Sequence, residues 1–126
     1  MTRTFKIRSK SIGEVTAEVR EDMNPKTAKA ILDHLPFAGI PNRWGDEVYL
    51  EIPVQADEEN AVQDVEVGDI AYWPPGRAMC IFFGRTPASH GDKPRAYSPV
   101  NVFGRVIGDP LRFKRVQEGE ELRIEE

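Results

Sequence analysis

The chain has 126 residues, enough for one hydrophobic core and too few for two independent ones, so we expect a single domain spanning residues 1–126. Its net charge of -4 argues against a nucleic-acid-binding protein, because affinity for phosphate backbones requires clustered Lys and Arg. With 40% hydrophobic and 30% charged residues, the composition excludes a disordered chain.

Cysteine usage and the first residues predict a compartment. Cys80 is the only cysteine, which excludes an internal disulfide and a cysteine-rich zinc site, so we expect no metal and no other cofactor. The opening segment MTRTFKIRSK carries charge throughout and predicts neither a signal peptide nor a membrane anchor. We therefore expect a cytoplasmic protein with no membrane partner.

Strands are predicted at both ends of the chain. Phe5 and Ile7 alternate with basic residues, and a second alternating run begins at Gly13, which is typical of a β-hairpin. Leu122 and Ile124 alternate with charged residues in the final segment, ELRIEE. Because the first strand is basic and the last is acidic, we expect the two to pair.

Two helices are predicted. The first covers about residues 24–35, with Asn24 as its N-terminal cap and Pro25 in its first turn. The second covers about residues 109–116, where an Asp-Pro pair repeats the same start signal.

The middle of the chain alternates between strands and loops. Glu47 begins a run in which apolar and polar residues alternate, which predicts a strand with one core face. The polar residues 55–60 and the Pro- and Gly-rich residues 85–99 predict loops, and Val100 begins a further strand.

Two short segments are continuously apolar: IAYW at residues 70–73 and AMCIFF at residues 78–83. A strand with two apolar faces must be covered on both. If one face lines the interior of a barrel, the other must lie under a loop, a neighbour or a ligand. This is the sequence feature most directly tied to function.

The order of several motifs points to a family. NPKTAKAI from residue 24, CIFFG from residue 80 and VFGRVIGDP from residue 102 occur in the order found in cyclophilins, and the chain resembles that family. NRWGDEVYLEIP, EVGDIAYWPPG and AYSPVNVFGRV are similar to segments of a small prokaryotic cyclophilin-like family of uncharacterised proteins. The resemblance implies a mainly β fold, built as a closed eight-stranded barrel capped by the two helices.

Cyclophilins catalyse rotation about Xaa-Pro bonds, and the resemblance shows what this chain lacks for that reaction. The family's FHR motif, which carries the assisting arginine, is absent, and Val100 stands where the family's loop histidine would fall. The aromatic pair that includes the family's proline platform is retained as Phe82 and Phe83. We therefore expect a binding module for a small molecule or an extended peptide rather than an enzyme.

Two alternatives stay open: a peptidyl-prolyl cis-trans isomerase, and a non-catalytic subunit or interaction partner of a larger enzyme, with oligomer formation also possible. No catalytic residue is assigned. The candidate ligand-binding residues are Arg43, Trp44, Tyr49, Phe82, Phe83, His90, Arg95 and Tyr97.

The candidates have different rationales. Arg43 and Trp44 flank a glycine turn and suit an anion or a carboxylate, unless Trp44 plugs the barrel end and Arg43 pairs with Asp46. His90 lies in the long loop without a recognisable catalytic partner. Trp73, at a strand end before two prolines, is interpreted as a core residue.

Overall fold

The computed structural model describes residues 3–126, and the fold is mainly β, as predicted. The described residues form one α-helix, α1, and two short 3-10 helices at Pro74–Gly76 and Pro110–Arg115. The strands are β1 (Thr4–Ser9), β2 (Gly13–Val19), β3 (Phe37–Gly39), β4 (Asn42–Arg43), β5 (Glu47–Glu51), β6 (Val62–Asp64), β7 (Asp69–Trp73), β8 (Ala78–Phe82), β9 (Arg95–Val106) and β10 (Leu122–Glu125). The helix α1 spans Pro25–Asp33.

The prediction of a closed eight-stranded barrel is wrong. Ten strands form one sheet in the order β3-β10-β1-β2-β9-β7-β8-β5-β4, with β6 paired to β9 outside that path. The two ends of the path, β3 and β4, are not hydrogen-bonded neighbours in this order, so the sheet stays open.

The open edge and the additional strands have a local cause. The strands β3 and β4 have only three and two residues and lie at opposite ends of the path. Pro41 lies between them and has no N–H group to donate to a ladder. Short, proline-interrupted edges offer too few donors and acceptors to close the ring.

The first and last strands pair, as predicted. β1 lies antiparallel to β10, with Lys6 opposite Glu125 and Ile7 opposite Ile124. Arg8 also forms an ion pair with Glu125. These contacts join the chain ends along the sheet.

The helix α1 starts where it was predicted but is capped differently. Asn24 occupies the cap position without a side-chain cap bond, and instead its amide donates to the Val102 carbonyl at 2.8 Å. The carboxylate of Glu59 accepts from the backbone N–H groups of Lys26 and Thr27 at 3.2 and 3.1 Å. A side chain from the predicted loop at 55–60 therefore satisfies the exposed donors of the helix.

The second predicted helix is the 3-10 helix Pro110–Arg115, where the Asp109 side chain accepts from the Leu111 N–H at 3.0 Å. None of the helices in residues 3–126 is long and apolar enough to cross a membrane.

The strand β9 is longer than predicted. It begins at Arg95 instead of Val100, so residues 95–99 are not part of the preceding loop. Its first half pairs with β6, where the register shifts between Val62 and Asp64, and its second half pairs with β7 and β2. β9 therefore leaves the main sheet and folds, with β6, over the outer face of β7 and β8.

The strands β5, β7 and β8 consequently lie between two apolar clusters. The inner core, between this part of the sheet, β1, β2 and α1, includes Phe5, Ile31, Leu50, Ile70, Met79, Ile81, Phe83 and Phe103. The outer cluster comprises Val65, Ala71, Cys80, Phe82, Ala96, Val100 and Val102.

Candidate ligand-binding site

The strand β8 and the following Phe83 have two buried faces, as the continuous apolar run predicted. Met79, Ile81 and Phe83 belong to the inner core. Cys80 and Phe82 belong to the outer cluster. The alternation follows from the pleat, which turns successive side chains to opposite sides of the sheet. The protein itself supplies most of the outer cover, through β6 and the first half of β9.

This cover leaves a cavity on the outer face, beside β5. The cavity has a volume of about 340 Å³ and is here called the aromatic pocket. Its lining residues are Trp44, Glu47, Tyr49, Trp73, Cys80, Ala96, Tyr97 and Val100. They come from the turn before β5 and from β5, β7, β8 and β9, so the pocket lies where the outer cover meets the sheet.

Three aromatic rings form one wall of the aromatic pocket. The Tyr97 ring lies 5.9 Å from the Trp44 ring and 6.0 Å from the Trp73 ring, measured between centroids, with interplanar angles of 76° and 84°. The Trp73 indole donates to the Ser98 hydroxyl at 2.7 Å, which fixes its orientation. Tyr97 is 71% exposed, so an incoming molecule can reach its ring directly.

The sheet side of the aromatic pocket carries a buried acid. Glu47 is only 5% exposed, because it sits on the outer face of β5 under the cover. Burial raises the pKa of Glu47 from 4.5 to about 7, and a hydrogen bond with the Cys80 thiol offsets part of that rise. Glu47 therefore changes its charge near neutral pH.

Cys80 is chemically quiet by comparison. Burial raises the pKa of its thiol well above the ordinary value, and the neighbouring Glu47 carboxylate adds to the rise. A thiol that resists ionisation is a poor nucleophile and a poor metal ligand. Among residues 3–126, no group of three or more His, Cys, Asp and Glu side chains is placed to hold a metal ion.

A tight turn positions Trp44. Trp44 and Glu47 exchange backbone hydrogen bonds of 2.9 and 3.2 Å around Gly45 and Asp46. Gly45 has a φ of +61°, and a β-carbon there would lie 2.8 Å from the ring of Pro87. Glycine is therefore required at position 45 for two reasons: its positive φ, and its close approach to the loop after β8.

The family model described as Cyclophilin-like matches residues 3–125. The chain belongs to the cyclophilin-like family. The solution structure of the hypothetical protein AF2241 from Archaeoglobus fulgidus is similar, with 43% sequence identity, a TM-score of 0.81, and coverage of 98% of this chain and 94% of that one. No curated protein matches the sequence.

Three of the eight candidate residues lie together in this cyclophilin-like structure. Trp44, Tyr49 and Tyr97 line the aromatic pocket, although they are distant in sequence. The structure places Trp44 in the wall of this pocket. The alternative from the sequence was that Trp44 fills the end of a barrel.

Arg43 lies outside the aromatic pocket and stabilises the turn. Its guanidinium donates to the Gly45 carbonyl at 2.7 Å and to Asp46 at 3.2 Å. Its guanidinium carbon also lies 4.9 Å from the centroid of the Phe83 ring. The pairing of Arg43 with Asp46, which the sequence left as an alternative, is the arrangement in the structure.

The remaining four candidates also lie outside the pocket lining. Phe82 and Phe83 are fully buried, and Phe83 stacks on Phe113 with centroids 6.4 Å apart. His90 is exposed in the loop after β8. Arg95 is held by Asp64 at 3.1 Å and by Gln63 at 2.9 Å.

Sequence reasoning missed Glu47 and treated Trp73 as a core residue. The alternation places Glu47 on the face of the predicted strand opposite its core face, and nothing local shows that β9 covers that face. The available signal was indirect: if both faces of β7 and β8 are covered, the outer face of the neighbouring β5 must lie near the same cover.

Proposed function

We propose that the chain is a binding module that takes up a small organic molecule in the aromatic pocket. The observation that carries the proposal is a cavity of about 340 Å³ with a wall of three aromatic rings, in which Tyr97 contacts both Trp44 and Trp73, and a buried carboxyl group beside it. Small-molecule sites are concave and mostly apolar, with a few placed polar groups and volumes from about 300 Å³ upward.

The framework of the pocket supports this function. Most of its lining comes from hydrogen-bonded strands, and the Trp73 indole is held in place because it donates to the Ser98 hydroxyl at 2.7 Å. A pocket with fixed walls binds with a smaller loss of conformational freedom than one that must form around its ligand. An extended peptide remains within the proposal only where one of its side chains enters the pocket.

Binding fits the geometry better than prolyl isomerisation does. Phe83, which matches one member of the family's aromatic pair, is covered by Phe113 on the inner side and by the Arg43 guanidinium. Phe82, the other member, is buried in the outer cluster. A proline ring would need one of these faces free, so both observations favour the binding module.

We further propose that this module is one domain spanning residues 1–126 and acts in the cytoplasm. The inner core combines residues from both ends of the chain, including Phe5 and Ile7 of β1 and Leu122 and Ile124 of β10, which supports a single folding unit. The lone buried Cys80 suits a reducing compartment.

The test is a ligand screen by NMR with an isotope-labelled protein and a library of small aromatic, aliphatic and charged fragments. We expect binders to shift the indole N–H signals of Trp44 and Trp73. Tyr97→Ala should weaken binding about fivefold or more, since it removes the exposed ring. Leu111→Ala, which truncates an exposed residue outside the pocket, is the matched control and should bind as the wild type does.

Two results would overturn the proposal. One is a complete absence of binders. The other is a set of binders that shift signals only elsewhere, for example around the surface depression between Arg8, Ser11 and Glu118.

A further inference from the structure

We propose that the molecule bound in the aromatic pocket is a small organic cation, an alkylated ammonium group that sits among Trp44, Trp73 and Tyr97 and pairs with the Glu47 carboxylate. This inference rests on the proposed function and names the chemical class of its ligand.

The arrangement of the aromatic rings favours a cation. Tyr97 stands nearly perpendicular to both Trp44 and Trp73, at centroid distances of 5.9 and 6.0 Å, so the rings meet at corners rather than in one stack. Tyr49 adds a further ring to the same lining. Rings meeting at angles around a small cavity are how proteins hold alkylammonium groups, because the negative faces of the rings attract the cation.

The sign of the charge in the aromatic pocket also favours a cation. Glu47 is the one formally charged side chain in the lining, within the part of the chain that the structure describes. The nearby guanidinium groups are already occupied, that of Arg43 by Asp46 and that of Arg95 by Asp64. An anionic ligand would meet a carboxylate and no compensating cation, whereas a cationic ligand would meet its counter-ion.

The burial of Glu47 without a cationic partner favours the same class of ligand. A carboxyl group at a position that is 5% exposed destabilises the fold when it is ionised without a counter-ion. No salt bridge joins Glu47 to any Lys, Arg or His of residues 3–126. A neutral apolar ligand would gain nothing from this acid, whereas a cationic ligand would supply the counter-ion that stabilises its ionised form.

The ionisation of Glu47 provides a readout. The titratable groups that face it are the Cys80 thiol on β8, Tyr49 on β5 and Tyr97 on β9, and the Arg43–Asp46 ion pair lies in the preceding turn. Because the pKa of Glu47 is about 7 in the free protein, a cation binds in competition with a proton. Affinity for a permanent cation should therefore rise about tenfold between pH 6 and pH 8.

The experiment is a calorimetric titration with choline and with 3,3-dimethylbutan-1-ol, its uncharged analogue of nearly the same shape. Tetramethylammonium is a second cationic probe. We expect the cations to bind at least about tenfold more tightly than the alcohol at pH 8, and to lose this advantage at pH 6.

Two variants separate the charge from the shape of the pocket. Glu47→Gln should reduce choline binding about tenfold, abolish its pH dependence and leave binding of the alcohol unchanged. Glu51→Gln is the matched control, because Glu51 lies four residues beyond Glu47 on the same face of β5, is exposed, and is outside the pocket lining. It should behave as the wild type does.

The outcomes separate the two proposals. Equal affinity for choline and the alcohol, or cation binding that Glu47→Gln does not change, would overturn the cationic class and leave the binding function standing. Failure of every ammonium probe, with fragments of another class bound at Trp44 and Trp73, would do the same. Failure of all probes and all fragments would overturn both proposals.

Discussion

The two faces of β5, β7 and β8 share a backbone but differ in how they are covered. On the inner face, Leu50, Ile70 and Ile81 are fully buried in an apolar core. On the outer face, Glu47 and Tyr49 occupy positions that the short β6 and the first half of β9 cover only in part. The inner face therefore contributes most to stability, and the outer face contains the cavity that we propose as the ligand-binding site.

The largest expected difference between the two faces is in the free energy of unfolding that is lost when a side chain on each face is truncated. Ile81→Ala should destabilise the protein by about 2–5 kcal/mol, because it leaves a cavity in a closed core. Cys80→Ala, its neighbour on the outer face, should cost about 1 kcal/mol, since it removes one sulfur atom beside an existing cavity. Denaturant unfolding measures both values, and equal losses would refute the distinction between the faces.

The next effect concerns pH. The folded state holds the Glu47 proton more tightly than the unfolded chain does, because the pKa is raised from 4.5 to about 7. The associated stabilisation is complete below about pH 4.5 and is lost as the pH rises through about 7. At about 1.4 kcal/mol per pKa unit, the loss is about 3 kcal/mol.

Glu47→Gln isolates this contribution from those of other titrating groups. The variant should match the wild type near pH 4.5 and be more stable than it at pH 8, by up to about 3 kcal/mol. Urea unfolding at the two pH values tests this, with Glu51→Gln as the control. A variant less stable than the wild type at pH 8 would show that Glu47 is not an uncompensated buried acid.

A smaller effect is expected at the turn that carries Trp44. Gly45→Ala should cost about 1–2 kcal/mol, because Gly45 has a φ of +61° and lies against the ring of Pro87. Because Trp44 belongs to the same turn, the substitution should also shift the NMR signal of its indole N–H. Gly91→Ala is the control, since a β-carbon at Gly91 meets no atom within 4 Å. Similar unfolding free energies for the two variants would contradict the role of the turn.

The smallest effect should be that of Tyr97→Ala on stability. Because the ring is 71% exposed, its removal should change the free energy of unfolding by less than about 0.5 kcal/mol. Thermal unfolding monitored by circular dichroism measures the change. A large loss of stability would mean that Tyr97 holds the outer cover together and is not simply part of a ligand-binding wall.

The sequence predicted the structural features that depend on residues close together in the chain. Period-two alternation identified β1, β2 and β5, and the continuous apolar run at 78–83 correctly implied two covered faces. The family motifs identified the family that the comparison with known proteins shows.

The sequence could not predict what depends on the meeting of distant segments. Nothing near Glu47 indicates that residues 95–100 cross over it, so its burial was missed. Glu59, rather than Asn24, accepts from the N–H groups at the start of α1 because residues 55–60 fold back onto it. Closure of the sheet likewise depends on two short edges that local patterns cannot bring together.

The most direct test of the account is a crystal structure of the complex with choline, prepared at pH 8. We expect choline in the aromatic pocket, with its trimethylammonium group within about 6 Å of the Trp44, Trp73 and Tyr97 ring centroids and in contact with the Glu47 carboxylate. An empty aromatic pocket at saturating choline, or choline bound only on another surface, would contradict it.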